Sequence, residues 1–241
     1  MEYSVVIPIH NEEENLEPLL DEIESVMVAL AHPWELICVD DGSTDNSLLI
    51  LKQNVQRRPY LRIVTFTRNF GQSSAFAAGF QHAKGQFVIT LDGDRQNDPQ
   101  DIPKLLQKAE HADLVVGWRV QRKDTFSKRW ISKLSNFVRS RFCQDGIHDT
   151  GCSLKVFRTQ ALRQIKLYHG MHRFLPALFR IEGFSVTEVP VHHRQREKGK
   201  TKYHFWNRSL GPFLDMLVVR WMRSRHLKYQ VQQEISQKES L

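Results

Sequence analysis

The sequence predicts an α/β fold, a mostly parallel central sheet with helices on both faces, followed by a C-terminal amphipathic helical segment. Three observations predict it. Short runs rich in β-branched residues alternate with stretches of helical period up to Trp118. Three of those runs end in polar or acidic residues, as strands do when they feed loops at one sheet edge. Hydrophobic residues make up 41% of the 241 residues, enough for a packed core at this length.

The elements follow in order. Tyr3 to Ile9 reads as the first strand, and Glu12 to Leu30 as a helix with Leu16, Leu19, Leu20, Ile23, Val26, Met27 and Leu30 on its apolar face. Glu35 to Asp41 is the second strand. Asp45 is placed to cap the next helix, with Leu48, Leu49 and Leu51 turned inward. Leu61 to Phe66 is a third strand, Gln72 to Ala83 a helix of small and apolar residues, and Gln86 to Leu91 a fourth strand. Asp101 to Glu110 is helical, entered through Pro99, and Asp113 to Trp118 is a fifth strand. A βαβα alternation of this kind builds parallel sheets.

Beyond Trp118 the pattern changes. Arg119 to Phe142 interleaves cations with Phe126, Trp130, Ile131, Leu134, Phe137, Val138 and Phe142, largely at helical spacing. It reads either as an amphipathic helix packed on the sheet or as a basic helix at a membrane interface. Arg208 to Arg225 repeats the theme, and Asp215 and Arg220 argue against its spanning a bilayer. His172 and Arg173 open a further helix at Phe174-Leu175-Pro176. The expected organisation is an α/β domain over 1–205, an amphipathic helix over 206–228 that meets a membrane surface or a second copy, and a polar tail over 229–241.

Composition narrows the function. Lys plus Arg total 34 against 27 for Asp plus Glu, a net charge of +7, which favours an anionic partner. Cys38, Cys143 and Cys152 form neither a metal-like pair nor a disulfide framework, which suits a reducing compartment. The chain enters a strand at once, so no signal peptide is expected, and no run of about eighteen apolar residues is present.

The motif carrying most chemistry is Phe87-Val88-Ile89-Thr90-Leu91-Asp92-Gly93-Asp94. Two carboxylates sit where a buried strand runs out into loop, and open α/β sheets bind ligands at such strand ends. Mg²⁺ takes one or two carboxylates plus substrate phosphates, so this pair suits a metal–diphosphate, although paired aspartates also occur in ordinary turns. The first strand ends in Pro8-Ile9-His10-Asn11-Glu12 and the second in Val39-Asp40-Asp41-Gly42-Ser43. In a parallel sheet all three ends share one edge, and an Asp at the second can accept a hydrogen bond from a base or ribose. Asp149 is a candidate for positioning an acceptor or acting as a base, with a structural turn as the other reading. Adjacent His192 and His193 face opposite sides of a strand and are not expected to share a metal. Cys152 reads as a small core residue.

In this order, Val6-Ile7-Pro8, Val39-Asp40-Asp41-Gly42-Ser43, Arg68-Asn69-Phe70-Gly71, Asp92-Gly93-Asp94-Arg95-Gln96, Asp149-Thr150-Gly151-Cys152 and Arg194 to Tyr203 resemble family 2 glycosyltransferases of the Rossmann-like GT-A fold. Within them the chain is most similar to the dolichyl- and polyprenyl-phosphate sugar synthases, over nearly its whole length. The resemblance implies an inverting transfer from a UDP- or GDP-sugar to undecaprenyl or dolichyl phosphate, with Mg²⁺ or Mn²⁺, peripheral at the cytoplasmic face of the membrane. It implies that Pro8, His10, Glu12, Asp40 and Asp41 contact the nucleoside, and that Asp92, Asp94 and Gln96 gather the metal and donor diphosphate. It places the acceptor's phosphate at Arg119, Arg129 and Ser132, and Lys202 near the diphosphate. Asp94, Asp149 and Arg129 are then the catalytic candidates. Three features depart from the family pattern: Arg95 stands where an apolar residue is usual, His10 replaces an aromatic, and C-terminal transmembrane helices found in many relatives are not in this sequence.

Other readings keep a place. The acceptor could be a soluble glycan or protein, or the chain could be a nucleotide-binding scaffold without turnover. Nucleic-acid binding, suggested by charge alone, is disfavoured because the acidic strand ends would repel a phosphate backbone. The C-terminal segment could serve a homo-oligomer in place of a bilayer.

Overall fold

A computed structural model describes residues 1–120, 142, 146–195, 210–227 and 229. The readings that fall on Arg129, Ser132 and Lys202, on most of the Arg119–Phe142 helix and on most of the tail lie outside the described residues.

The elements are β1 (Tyr3–Ile9), α1 (Glu13–Ala29), β2 (Trp34–Asp40), α2 (Ser47–Val55), β3 (Leu61–Thr65), α3 (Gln72–His82) and β4 (Phe87–Thr90). A 3₁₀ turn at Pro99–Asp101 leads into α4 (Ile102–Ala109), followed by β5 (Leu114–Arg119), β6 (Lys155–Arg158) and α5 (Thr159–Leu162). A second 3₁₀ turn, Met171–Phe174, leads into α6 (Leu175–Ile181), then β7 (Val186–Val191) and α7 (Leu210–Arg225).

Among the described residues seven strands form one sheet in the order β3-β2-β1-β4-β6-β5-β7. Every pairing is parallel except those of β6, which runs antiparallel to both neighbours. Ile9 lies opposite Asp40, and Val6 opposite Thr90, so the exits of β1, β2 and β4 share one edge as predicted. Because β6 is reversed, it enters the sheet at that same edge: Lys155 sits between Thr90 and Val116.

Side-chain alternation along β1 sorts the helices. Val5, Ile7 and Ile9 pack under α1, α2 and α4 with Leu16, Leu20, Ile23, Leu51 and Leu105. Val6 faces the other side, where α3, α5 and α6 supply Phe76, Leu162 and Phe179. α7 docks separately, seating Met216 and Val219 against Met171, Phe174, Ala177 and Leu178.

The structure departs from the sequence reading at four places. β6 is short and begins and ends in cations, so it carries no strand pattern; pairing on both sides makes it a strand. β7 contains Pro190, which its position at the end of the sheet order tolerates. Leu49 is exposed, while α2 buries Ser47, Leu51 and Asn54 and packs Ile50 partly against the core. α7 has two apolar sides: Met216 and Val219 are buried, whereas Phe213, Leu214, Leu217, Val218 and Trp221 remain exposed. Among the described residues no helix is long and apolar enough to cross a membrane.

Candidate active site

The first two strand exits are laced together. Asn11 turns left-handed at φ 53°, accepts from Thr44 N at 2.7 Å through Oδ1 and donates its own N–H to Ser43 Oγ at 3.0 Å. Glu12 N donates to Ser47 Oγ at 2.9 Å, and Glu13 N to Asp45 Oδ2 at 3.1 Å. Asp45 Oδ1 accepts from Ser47 N at 2.9 Å, so Asp45 serves the start of α2 and the start of α1 together.

Asp40 and Asp41 part company. Asp41 accepts from Phe70 N at 2.6 Å and Gly71 N at 2.9 Å, one per oxygen. It holds the Arg68–Gly71 loop against β2. Gly42, at φ 65°, completes this contact: a Cβ there would collide with the backbone of Arg68 and Asn69. Asp40 is 1% exposed, and its Oδ1 has no hydrogen-bond partner among the described residues. A buried orphan acceptor is costly, and this oxygen is free to accept from a ligand's N–H or O–H.

The third exit carries the carboxylate pair. Asp92 Oδ1 accepts from Gln72 Nε2 at 2.7 Å, which ties it to the first turn of α3. Burial first, then the adjacent Asp94 charge, push the Asp92 carboxyl up to about 6, against the opposing pull of Ser153, Lys155 and Arg119. Gly93 lets the two acids sit close on β1: a Cβ there would lie 3.0 Å from Ile9 Cδ1 and 3.3 Å from Pro8 O. Asp94 Oδ1 accepts from Gln96 N at 3.2 Å, and Gln96 O accepts from Arg194 N at 2.9 Å. Among the described residues Gln96 makes its hydrogen bonds through its backbone. Two mutually repelling hard-oxygen donors fit a divalent cation, whose binding relieves that repulsion. Among the described residues no group of three or more His, Cys, Asp or Glu is arranged to hold a metal, so a cation at this pair would take oxygens from outside such a group.

Arg119 and Lys155 bring positive charge beside Asp92, where it opposes the rise of that carboxyl's pKa. Arg119 donates to Asp149 through Nε at 2.6 Å and Nη2 at 2.8 Å, a two-point pairing largely shielded from water. Burial works against the Arg119 charge, but Asp149 outweighs it and raises its pKa. Glu188 on β7 accepts from His148 N at 2.8 Å and Asp149 N at 3.2 Å and pairs with His148 Nδ1 at 2.7 Å, while His148 stacks on Trp118 with centroids 4.6 Å apart. Lys155 is buried and donates to Cys152 O; burial lowers its pKa. Asn97 Oδ1 accepts from Ser153 Oγ at 2.5 Å, closing the floor.

The structure thus brings Asp92, Asp94, Arg119 and Asp149 into one cluster, with Pro8, Glu12 and Asp40 along the adjoining exits. Gln72, Asn97, Ser153, Lys155 and Glu188 were not read from the sequence. Gln72 directly follows Arg68-Asn69-Phe70-Gly71 in sequence; the others are joined to the site only by long-range pairing. Burial raises the Cys152 thiol, in keeping with a core residue. His192 pairs with Asp101, and His193 forms an antiparallel bridge with Asn97. Ser73 Oγ accepts from Gly170 N at 3.0 Å and contacts His172 Nδ1 at 2.6 Å, which leaves the hydroxyl hydrogen for a neutral imidazole; burial pushes His172 down to about 3.

Comparison with known proteins agrees with this architecture. The chain is 43% identical over 225 residues to the dodecaprenyl-phosphate galacturonate synthase of Rhizobium johnstonii, covering 91% of this chain and 66% of that one. It is 37% identical over 204 residues to the undecaprenyl-phosphate 4-deoxy-4-formamido-L-arabinose transferase of Salmonella choleraesuis, covering 84% and 62%. The chain therefore spans slightly less than two thirds of these relatives. In fold it is similar to glucosyl-3-phosphoglycerate synthase from Mycobacterium tuberculosis in complex with Mn²⁺, UDP and phosphoglyceric acid, at TM-score 0.69 and 16% identity over 94% of this chain and 80% of that one. S. aureus TarS 1-349 in complex with UDP is also similar, at TM-score 0.56 and 17% identity over 92% and 65%. Residues 4–166 match the model of glycosyl transferase family 2, and the chain belongs to that family.

Proposed function

We propose that the protein transfers a sugar from a UDP- or GDP-sugar to a polyprenyl phosphate, with Mg²⁺ or Mn²⁺, at the cytoplasmic surface of a membrane. The observation that carries this reading is the Asp92–Asp94 pair at one sheet edge, with Arg119, gripped by Asp149, beside Asp92. Such a site offers a cation-binding side for a departing diphosphate and a fixed guanidinium for an anionic acceptor.

Asp40 is suited to accept from the donor's base or ribose, and Asp41 holds the loop beside it. Asp92 and Asp94, with the Gln96 side chain, would hold the cation; when bound, it neutralises charge developing on the diphosphate. Asp149 orients Arg119 toward the acceptor's phosphate. An oxygen of that phosphate forms the new bond to the anomeric carbon as the bond to the nucleoside diphosphate breaks, and the electron pair leaves with the diphosphate. The attacking oxygen is already anionic, so the step needs no strong base, and direct displacement inverts the anomeric centre. Arg129, Ser132 and Lys202 keep their roles by family resemblance alone.

The membrane part rests on α7. Phe213, Leu214, Leu217, Val218 and Trp221 are exposed beside Arg220, Arg223 and Arg225, a composition suited to an anionic lipid interface. The test is a donor screen with Mn²⁺ and a short polyprenyl phosphate, reading lipid-linked sugar in the organic phase. Product that requires donor, lipid and metal supports the proposal. Sugar transfer only to water-soluble acceptors, or none with any donor, contradicts it.

A further inference from the structure

Between Asp94 and Gln96 the chain turns through Arg95, whose backbone is left-handed at φ 59°. That conformation is uncommon for a residue with a long side chain and needs surrounding structure to hold it. The turn brings Gln96 N back onto Asp94 Oδ1.

The holding group lies on α1. Glu22 Oε1 accepts from Arg95 Nη2 at 2.5 Å, and its second oxygen accepts from Arg194 Nη1 at 2.7 Å. Arg194 extends the chain of contacts, with Nη2 2.8 Å from Asp98 Oδ1 and its backbone N donating to Gln96 O at 2.9 Å. Beside it, Asn97 and His193 form an antiparallel bridge, and His192 N donates to Asp101 Oδ2 at 2.6 Å. One carboxylate therefore joins three separate segments: the middle of α1, the turn after β4 and the exit of β7. Among the described residues two arginines face two acids in this cluster, and those side chains are 18–34% exposed. Partial shielding of this kind makes such pairs more geometrically binding than open surface ones.

We infer that Glu22 is a positioning residue for the metal-holding turn: by gripping Arg95 and Arg194 it fixes the backbone from Asp94 to Gln96. Arg95 is the anchor of that turn and not a cation for the donor diphosphate. The inference rests on the proposed use of a divalent cation by Asp92 and Asp94.

The test measures Mn²⁺ binding by electron paramagnetic resonance in the presence of UDP, for wild type, Glu22→Gln, Arg95→Ala, Arg95→Gly and the Glu22→Gln/Arg95→Ala double variant. Glu22→Gln and Arg95→Ala are each expected to raise the half-saturating Mn²⁺ concentration about tenfold, the scale of lost outer-sphere support. The double variant is expected to bind within about a factor of three of either single one, because both remove the same contact. Arg95→Gly, which adopts a positive φ without an anchor, is expected to lose less than Arg95→Ala. Amide exchange of the metal-free protein gives a second readout: Glu22→Gln should quicken exchange over 93–98 and 192–195 together. Wild-type Mn²⁺ affinity in both single variants, multiplying effects in the double one, or unchanged exchange in both segments overturns the inference. If wild type itself binds no Mn²⁺ with UDP, the cation reading fails first and takes this inference with it.

Discussion

Asp149 grips Arg119 at two points, Nε at 2.6 Å and Nη2 at 2.8 Å. A carboxylate with both oxygens on one guanidinium is poorly placed to collect a proton from a substrate. It is well placed to fix the direction of that guanidinium. Glu188 supports the arrangement from below by accepting from the backbone N–H groups of His148 and Asp149.

Asp149→Asn should therefore raise the polyprenyl-phosphate KM by about tenfold or more while the donor KM stays near wild type, the signature of lost acceptor positioning. Steady-state kinetics with each substrate varied separately decides this. A fall in kcat of about 10²-fold or more with unchanged acceptor KM would instead identify Asp149 as a general base.

Asp94→Ala should abolish transfer and leave the thermal midpoint close to wild type, since Asp94 lies in a loop outside the core. Differential scanning calorimetry and the lipid-extraction assay, run on the same sample, check both halves. Retained turnover with ordinary Mn²⁺ dependence would contradict the role assigned to it.

The Asp92 carboxyl, held up to about 6, gives a pH signature. Its folded pKa lies above the unfolded value, so its contribution to apo stability is complete below about pH 4 and is lost as the pH rises through about 6. Metal and proton compete for the same oxygens. Mn²⁺ affinity should then fall as the pH drops below about 6. A titration of bound Mn²⁺ from pH 7.5 to 5 measures it, and in Asp92→Asn the dependence should flatten.

His172 should act in the opposite sense. Burial holds its folded pKa near 3, so its contribution to stability is present above the unfolded value of about 6.5 and is lost as the pH falls below it. His172→Gln should show a weaker loss of melting temperature between pH 7 and 5 than wild type.

On α7, Trp221→Glu should release the protein from vesicles containing anionic lipid without changing its melting temperature, because Trp221 is 61% exposed while Met216 and Val219 do the packing. Flotation with phosphatidylglycerol vesicles tests this. If wild type fails to float and instead runs as a dimer that Trp221→Glu dissociates, the exposed face belongs to a second copy.

Local pattern made the first half of the fold legible. β1, β2 and β4 each combine a buried apolar run with a polar exit, and parallel pairing then put Asp40, Asp92 and Asp94 at one edge. β6 carries no local strand signal because Lys155 and Arg158 bound it, and only its two neighbours make it a strand. The same limit hid Lys155, Glu188 and Glu22, whose partners lie far away in sequence. Asp40 and Asp41 show where motif reading stops: adjacent and chemically identical, one is an orphan acceptor and the other holds a loop. Periodicity likewise marked α7 as apolar but could not divide its residues between the protein and the outside.

Anomalous diffraction from crystals grown with UDP and Mn²⁺ tests the account most directly. A manganese peak is expected within about 2.5 Å of carboxylate oxygens of Asp92 and Asp94, with diphosphate oxygens completing its shell. A peak elsewhere, or nucleotide bound with no metal beside those two residues, would contradict it.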